Sequence, residues 1–161
     1  MAWMILPFKR YAEFSGRSRR KEFWSFQLFN VILALLIFVP ATIFAPTTRN
    51  SQVQSGDAGF TASANFHTDF GGSPISMALI SIYGVYLLAA FLPGIALTVR
   101  RFHDQNRSGW WYVALAIPSV IPLLGVIPAI ALLVFMFMPG TAGGNRFGPD
   151  PKDPYGEEVF A

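Results

Sequence analysis

Three long stretches of this chain carry no charged side chain: Phe23–Thr48, Phe70–Val99 and Ser108–Asn145. Each is at least as long as the roughly 20 residues that an α-helix needs to cross the hydrocarbon core of a bilayer. A charge at that depth is costly, so spans exclude charges or bury them in functional pairs. The pattern predicts a single all-α, multi-pass membrane domain with three apolar segments. Composition agrees: hydrophobic residues make up 53% of the chain and charged residues 13%, about half the charged share of a soluble domain.

The net charge of +3 is unevenly placed. Lys9, Arg10, Arg17, Arg19, Arg20 and Lys21 precede the first apolar run, and Arg100, Arg101 and Arg107 separate the second from the third. Between the first and second runs the only basic residue is Arg49. Basic residues near span ends stay cytoplasmic. The expected arrangement therefore has the N-terminus inside, the 46–74 segment outside and the 100–109 segment inside. Met1–Phe8 lacks a preceding basic region, and the first apolar run exceeds a secretory core in length, so an uncleaved first span is expected. The chain has no cysteine, which excludes disulfides, thiolate metal sites and cysteine nucleophiles.

Residues 8–22 interleave aromatic and basic side chains, the composition of an anchor at headgroup level. Ser18 is a candidate cap for a helix starting just before Arg19. Arg19, Arg20 and Lys21 would then crowd the positive end of the helix dipole, with Glu22 or anionic headgroups offsetting them. The 46–74 segment, rich in Gly, Ser, Thr and Asn, reads as a flexible external loop with at most short local structure. His67 and Asp69 lie within it but lack the further ligands that a metal site requires. The second span is placed at about residues 74–99 and bends at Pro93. Trp110 to Met138 would measure about 43 Å as one helix, too long for one crossing and too short for two. Pro118, Pro122, Gly125 and Pro128 interrupt it. One tilted, broken span is the first expectation, and a hairpin of two half-helices the alternative. The 139–161 tail is polar and rich in proline and glycine, hence loop.

The densest polar cluster is Arg100–Arg107, closed by Ser108, Gly109, Trp110 and Trp111. His103 and Asp104 have too few His and Asp partners for a hydrolytic metal site. Ser108 lacks a nucleophile elbow, so no catalytic residue, cofactor or metal is assigned. Asp104 is expected to bind Arg107 or an arginine of the N-terminal segment through charge-assisted hydrogen bonds. His103 is expected to pack beside Trp110 and Trp111, with a role as hydrogen-bond donor in the cluster as the alternative.

Phe14-Ser15-Gly16-Arg17-Ser18-Arg19-Arg20-Lys21-Glu22-Phe23-Trp24 resembles the opening of the bacterial inner-membrane "domain of unknown function 805" family. Val99–Asp104 with Arg107–Trp111 resembles its central signature, and Pro139–Thr141 with Gly144–Pro151 its closing one. The likeness covers about residues 8–151. It implies a multi-pass inner-membrane protein and no particular activity, and it makes the 46–74 segment an insertion.

The candidate site is therefore a polar cluster at the cytoplasmic edge: Arg17, Arg19, Arg20, Glu22, Arg100, Arg101, His103, Asp104 and Arg107. With a hairpin in the third run, residues 145–150 would join it. The leading functional expectation is a non-enzymatic protein whose basic, aromatic face engages anionic membrane lipid or a membrane partner. Alternatives are an oligomeric transporter or channel subunit built on the proline-broken runs, or a lipid-headgroup enzyme using His103 and Asp104. Nucleic acid fits poorly, because the basic segments already satisfy the topology rule.

Overall fold

A computed structural model describes residues 2–56 and 59–152. Among these the order is α1 (Ala2–Lys9), α2 (Arg20–Phe44), β1 (Thr47–Gly56), β2 (Gly59–Thr68), α3 (Pro74–Asp104), α4 (Trp110–Ser119) and α5 (Val126–Phe137). The fold is mostly helical, and α2 and α3 are each long and apolar enough to cross a membrane. Only 11% of the most apolar window of either helix is buried. The core helix of a soluble protein would hide most of that surface. Here Leu36, Ile43, Val85 and Leu88 are exposed instead. The chain divides into two compact units: Val31–Leu87, and the residues on either side of it.

In the Val31–Leu87 unit, β1 and β2 pair antiparallel from Thr47↔Thr68 to Gly56↔Gly59. This corrects the expectation of a loop with at most short structure. In β2, Phe60, Ala62, Ala64 and Phe66 alternate with Thr61, Ser63, Asn65 and His67, a strand signal set within a Gly-, Ser- and Thr-rich stretch that otherwise reads as loop. The Asp69 amide closes the base of the hairpin on the Pro46 carbonyl at 3.0 Å. Asp69 Oδ1 then accepts from the Gly71 amide at 2.9 Å, an Asx turn that leads toward α3. Pro74 takes the first helical position, where its missing N–H is harmless. The buried Ser76 hydroxyl donates to the Ala41 carbonyl at 2.9 Å, and Phe38 meets Tyr83 edge-on at 5.3 Å. These contacts join the end of α2 to the start of α3.

In the other unit, α3 continues past Val99 to Asp104. Arg100, Arg101, His103 and Asp104 are therefore helical, not part of a connecting loop. Basic side chains suit a helix C-terminus, where they meet the negative end of the dipole, so charge does not end the helix. Asn106 ends it. With φ at 56° it occupies the left-handed position. The Asn106 amide bonds His103 O and the Arg107 amide bonds Phe102 O, both at 3.0 Å, which is a Schellman stop.

The third apolar run is not one broken helix. Helix α4 has 10 residues and α5 has 12, or about 15 and 18 Å, and the two pack on each other. Trp111 near the start of α4 lies 6.1 Å from Phe135 near the end of α5, so the pair is an antiparallel hairpin. Its turn has Leu123 at φ 68°, and the Gly125 amide returns to Ile121 O at 2.8 Å. The hairpin alternative is the arrangement found.

Candidate functional site: a buried arginine–carboxylate cluster

The last turn of α3 projects Arg100, Arg101 and Asp104, all buried. Asp104 holds two guanidinium groups. Arg17 reaches Asp104 Oδ1 with Nε and Nη2, each at 3.1 Å, and Arg101 Nη1 donates to Oδ2. A planar five-donor fork suits this sharing. Arg17 spends its remaining donors on the closing segment, at the carbonyls of Thr141 (2.5 Å) and Gly143 (2.6 Å). Gly140 lies directly over the Asp104 carboxylate, whose three atoms are the nearest neighbours of a Cβ placed there. Any larger residue would displace the carboxylate.

A second pair lies beside the first. Glu22, in the first turn of α2, sits 3.6 Å from Arg100 Nη2, with both side chains almost fully buried. Ser18 stands outside the helix rather than capping it. Its hydroxyl donates to Glu22 Oε2 at 2.7 Å, and its amide donates to the Arg100 carbonyl at 3.2 Å. Among the described residues, Glu22 Oε1 and both Arg100 Nη atoms have no hydrogen-bond partner. The pair is thus held by charge and by Ser18, more loosely than Asp104 and its arginines. Three guanidinium groups face two carboxylates, and the excess positive charge lies against the negative end of α3 and the carbonyls of the closing segment.

That segment has no regular structure, yet it is closely bound. The Thr141 amide donates to Asp104 O at 2.8 Å, and Asn145 Nδ2 donates to His103 O at 2.9 Å. Both carbonyls belong to the helix end that lacks intrahelical partners. Arg101 donates to Met138 O, Gln105 to Phe135 O and Arg20 to Phe137 O. The end of α5 is therefore capped by side chains from α2, from α3 and from Gln105 just beyond α3, which draws the hairpin back to the cluster. Gln105, Thr141 and Ser18 were not among the residues expected in the cluster. Their signal was proximity to motif arginines, and neutral side chains do not stand out in a charge count.

The other expected residues lie apart from the buried pairs. His103 does not pack on Trp110 and Trp111. Its ring stacks on Phe147 at 3.9 Å and 3°, and Nδ1 faces the Gly16 carbonyl at 3.3 Å. Arg107 does not reach Asp104; its guanidinium lies over Phe135 at 4.7 Å and Trp111 at 5.3 Å. Arg19 lies over Trp3 at 5.8 Å. Arg10 and Glu13 form an exposed pair at 2.7 Å, whose hydrogen bond lowers the Glu13 pKa.

Long, exposed apolar helices with charges neutralised at one end define a helical membrane protein. The chain belongs to the family described as "Protein of unknown function (DUF805)", whose model matches residues 11–149. It is 36% identical over 152 residues to "Inner membrane protein YhaI" of Escherichia coli (strain K12), covering 94% of this chain and 97% of the relative. It is 35% identical to "Inner membrane protein YhaH" of the same organism, covering 94% and 98%. No solved structure matches. Membership makes this a protein of the bacterial inner membrane.

Proposed function

We propose that this protein is a non-catalytic, multi-pass inner-membrane protein whose cytoplasmic face holds anionic phospholipid headgroups. In this reading α2 and α3 cross the bilayer, and the α4–α5 hairpin enters and leaves from the side of the cluster. The observation that carries the proposal is the division of labour among the basic residues. Arg17, Arg100 and Arg101 are buried against Glu22 and Asp104 and are unavailable to a ligand. Lys9, Arg20 and Lys21 are exposed, while Arg19 and Arg107 lie on aromatic rings. Beside them are exposed Trp3, Tyr11 and Trp110, side chains that settle at headgroup level. Each Lys or Arg near an anionic surface contributes about 1 kcal/mol, and an anion also offsets the positive end of α2.

The test is native mass spectrometry of the full chain released from nanodiscs of mixed phosphatidylglycerol and phosphatidylcholine. The expected result is preferential retention of phosphatidylglycerol, reduced by salt and by the triple variant Arg19→Gln, Arg20→Gln, Lys21→Gln. Retention in proportion to the lipid mixture, unchanged by that variant, overturns the proposal.

A further inference from the structure

Beside the buried cluster, a groove of about 570 Å3 opens between the N-terminal segment, α3 and the start of α4. Ile95, Val99 and His103 line it from α3 at intervals of four residues. They form one stripe along the helix, about 12 Å long, apolar at Ile95 and polar at His103. Helix α4 repeats the gradient, with Val113 one turn inward of Trp110 and Ser108 just before the helix. Phe14 completes the wall. With Nδ1 turned to the Gly16 carbonyl, the Nε2 side of His103 faces Gly109, another lining residue. The groove is thus an almost wholly apolar trough, with Ser108 and His103 at one end.

The geometry points to this groove as a seat for one acyl chain of a phospholipid, with the phosphate end at Ser108, whose hydroxyl can donate to it. The inference rests on the lipid-binding reading above and assigns that lipid a place. Two observations select this occupant. The volume lies within the roughly 300–1,000 Å3 of ligand-holding clefts, and the groove is open along one side. The apolar wall also continues into exposed Leu88, Leu92 and Ile117 on the same two helices, so a chain can enter sideways from the bilayer. A peptide or a soluble anion would leave one end of the trough unmatched.

The full chain is placed in nanodiscs containing a phospholipid with a photoreactive diazirine on one acyl chain, and adducts are mapped by mass spectrometry. Adducts are expected to concentrate on the α4 residues Trp110 and Val113. They should fall at least tenfold in Val113→Trp, which fills the groove, and persist in Ile127→Trp, an exposed position on α5 outside it. Ile95→Phe fills the trough from α3 and provides an independent blocked variant. Adducts spread evenly along α2 and α3, or unchanged in the filled variants, overturn the inference. The experiment is run with the label on phosphatidylglycerol and on phosphatidylcholine. Equal groove labelling by both supports the groove while removing the anionic preference. Selective retention of phosphatidylglycerol without groove adducts removes the groove and leaves the headgroup reading intact.

Discussion

Asp104 is one carboxylate between two guanidinium groups, and its own exposure is 5%. Removing its charge leaves Arg17 and Arg101 buried without their counter-ion. Breaking a buried pair in this way costs about 3–5 kcal/mol. The exposed Arg10–Glu13 pair is the natural comparison, since such surface pairs contribute about 0–1 kcal/mol. Asp104→Asn is therefore expected to lower the melting temperature in mild detergent clearly, and Glu13→Gln barely. Equal shifts would mean that the carboxylate does not hold the arginines in place. The sequence pointed to this carboxylate because an acidic residue among arginines at a span edge needs a partner. An arginine of the N-terminal segment was one expected partner, and Arg17 is that arginine; that it would be Arg17, joined by Arg101 in place of Arg107, was not legible. Arg17 lies 87 residues away, and Arg101 becomes a neighbour only once the helix runs through Asp104. Arg107, closer in sequence, is carried off by the Schellman turn to stack on Trp111 and Phe135.

At the scale of elements, the apolar helices α2 and α3 were legible because exclusion of charge is a strong signal over 25 residues. The strands were less legible: β2 alternates Phe60, Ala62, Ala64 and Phe66 with polar residues, but β1 offers only Val53 and the Gly-, Ser- and Thr-rich composition reads as loop. The third run showed its break through Pro118, Pro122 and Gly125, but not its direction. That depends on capping of α5 by Arg20, Arg101 and Gln105, which no local window contains. The closing segment shows the same dependence on distant partners and carries its own pH sensitivity. Asp150 accepts from the Lys152 amide, then from the Gly143 amide, and these bonds hold its pKa below the ordinary carboxylate value. A carboxyl with a depressed folded pKa stabilises the fold above its unfolded value, near 3.9, and loses that contribution as pH falls through the folded value. A nitroxide at Ala142 should therefore gain mobility as pH falls below about 4, and Asp150→Asn should weaken that response. A response unchanged by Asp150→Asn would assign the acid sensitivity elsewhere.

For the whole molecule, the direction of the third run decides on which side the chain's closing segment lies. A single crossing after two spans would carry residues 139–152 to the outside. A hairpin returns them to the side of the N-terminal motif. The bonds from Arg17 to Thr141 and Gly143, and from Asn145 to His103, favour the return, because a bilayer cannot separate groups at hydrogen-bond distance. The charge bias predicts which side that is: basic Lys9–Lys21 is expected inside, and the sparsely charged 46–74 segment outside. Single cysteines separate the arrangements without background, because the chain has none of its own. Ser15, Asn65 and Ala142 are exposed, and they avoid the positive φ of Gly16 and the bonded amide of Gln105. An impermeant maleimide should label Asn65→Cys in intact cells, and Ser15→Cys and Ala142→Cys only after permeabilisation. Labelling of Ala142→Cys from outside, with Ser15→Cys still protected, would restore the single crossing. It would also make the contacts between Arg17 and the closing segment impossible in the membrane. Shared protection of Ser15→Cys and Ala142→Cys would leave two spans and a hairpin inserted from the cytoplasmic side, with the arginine cluster at its mouth.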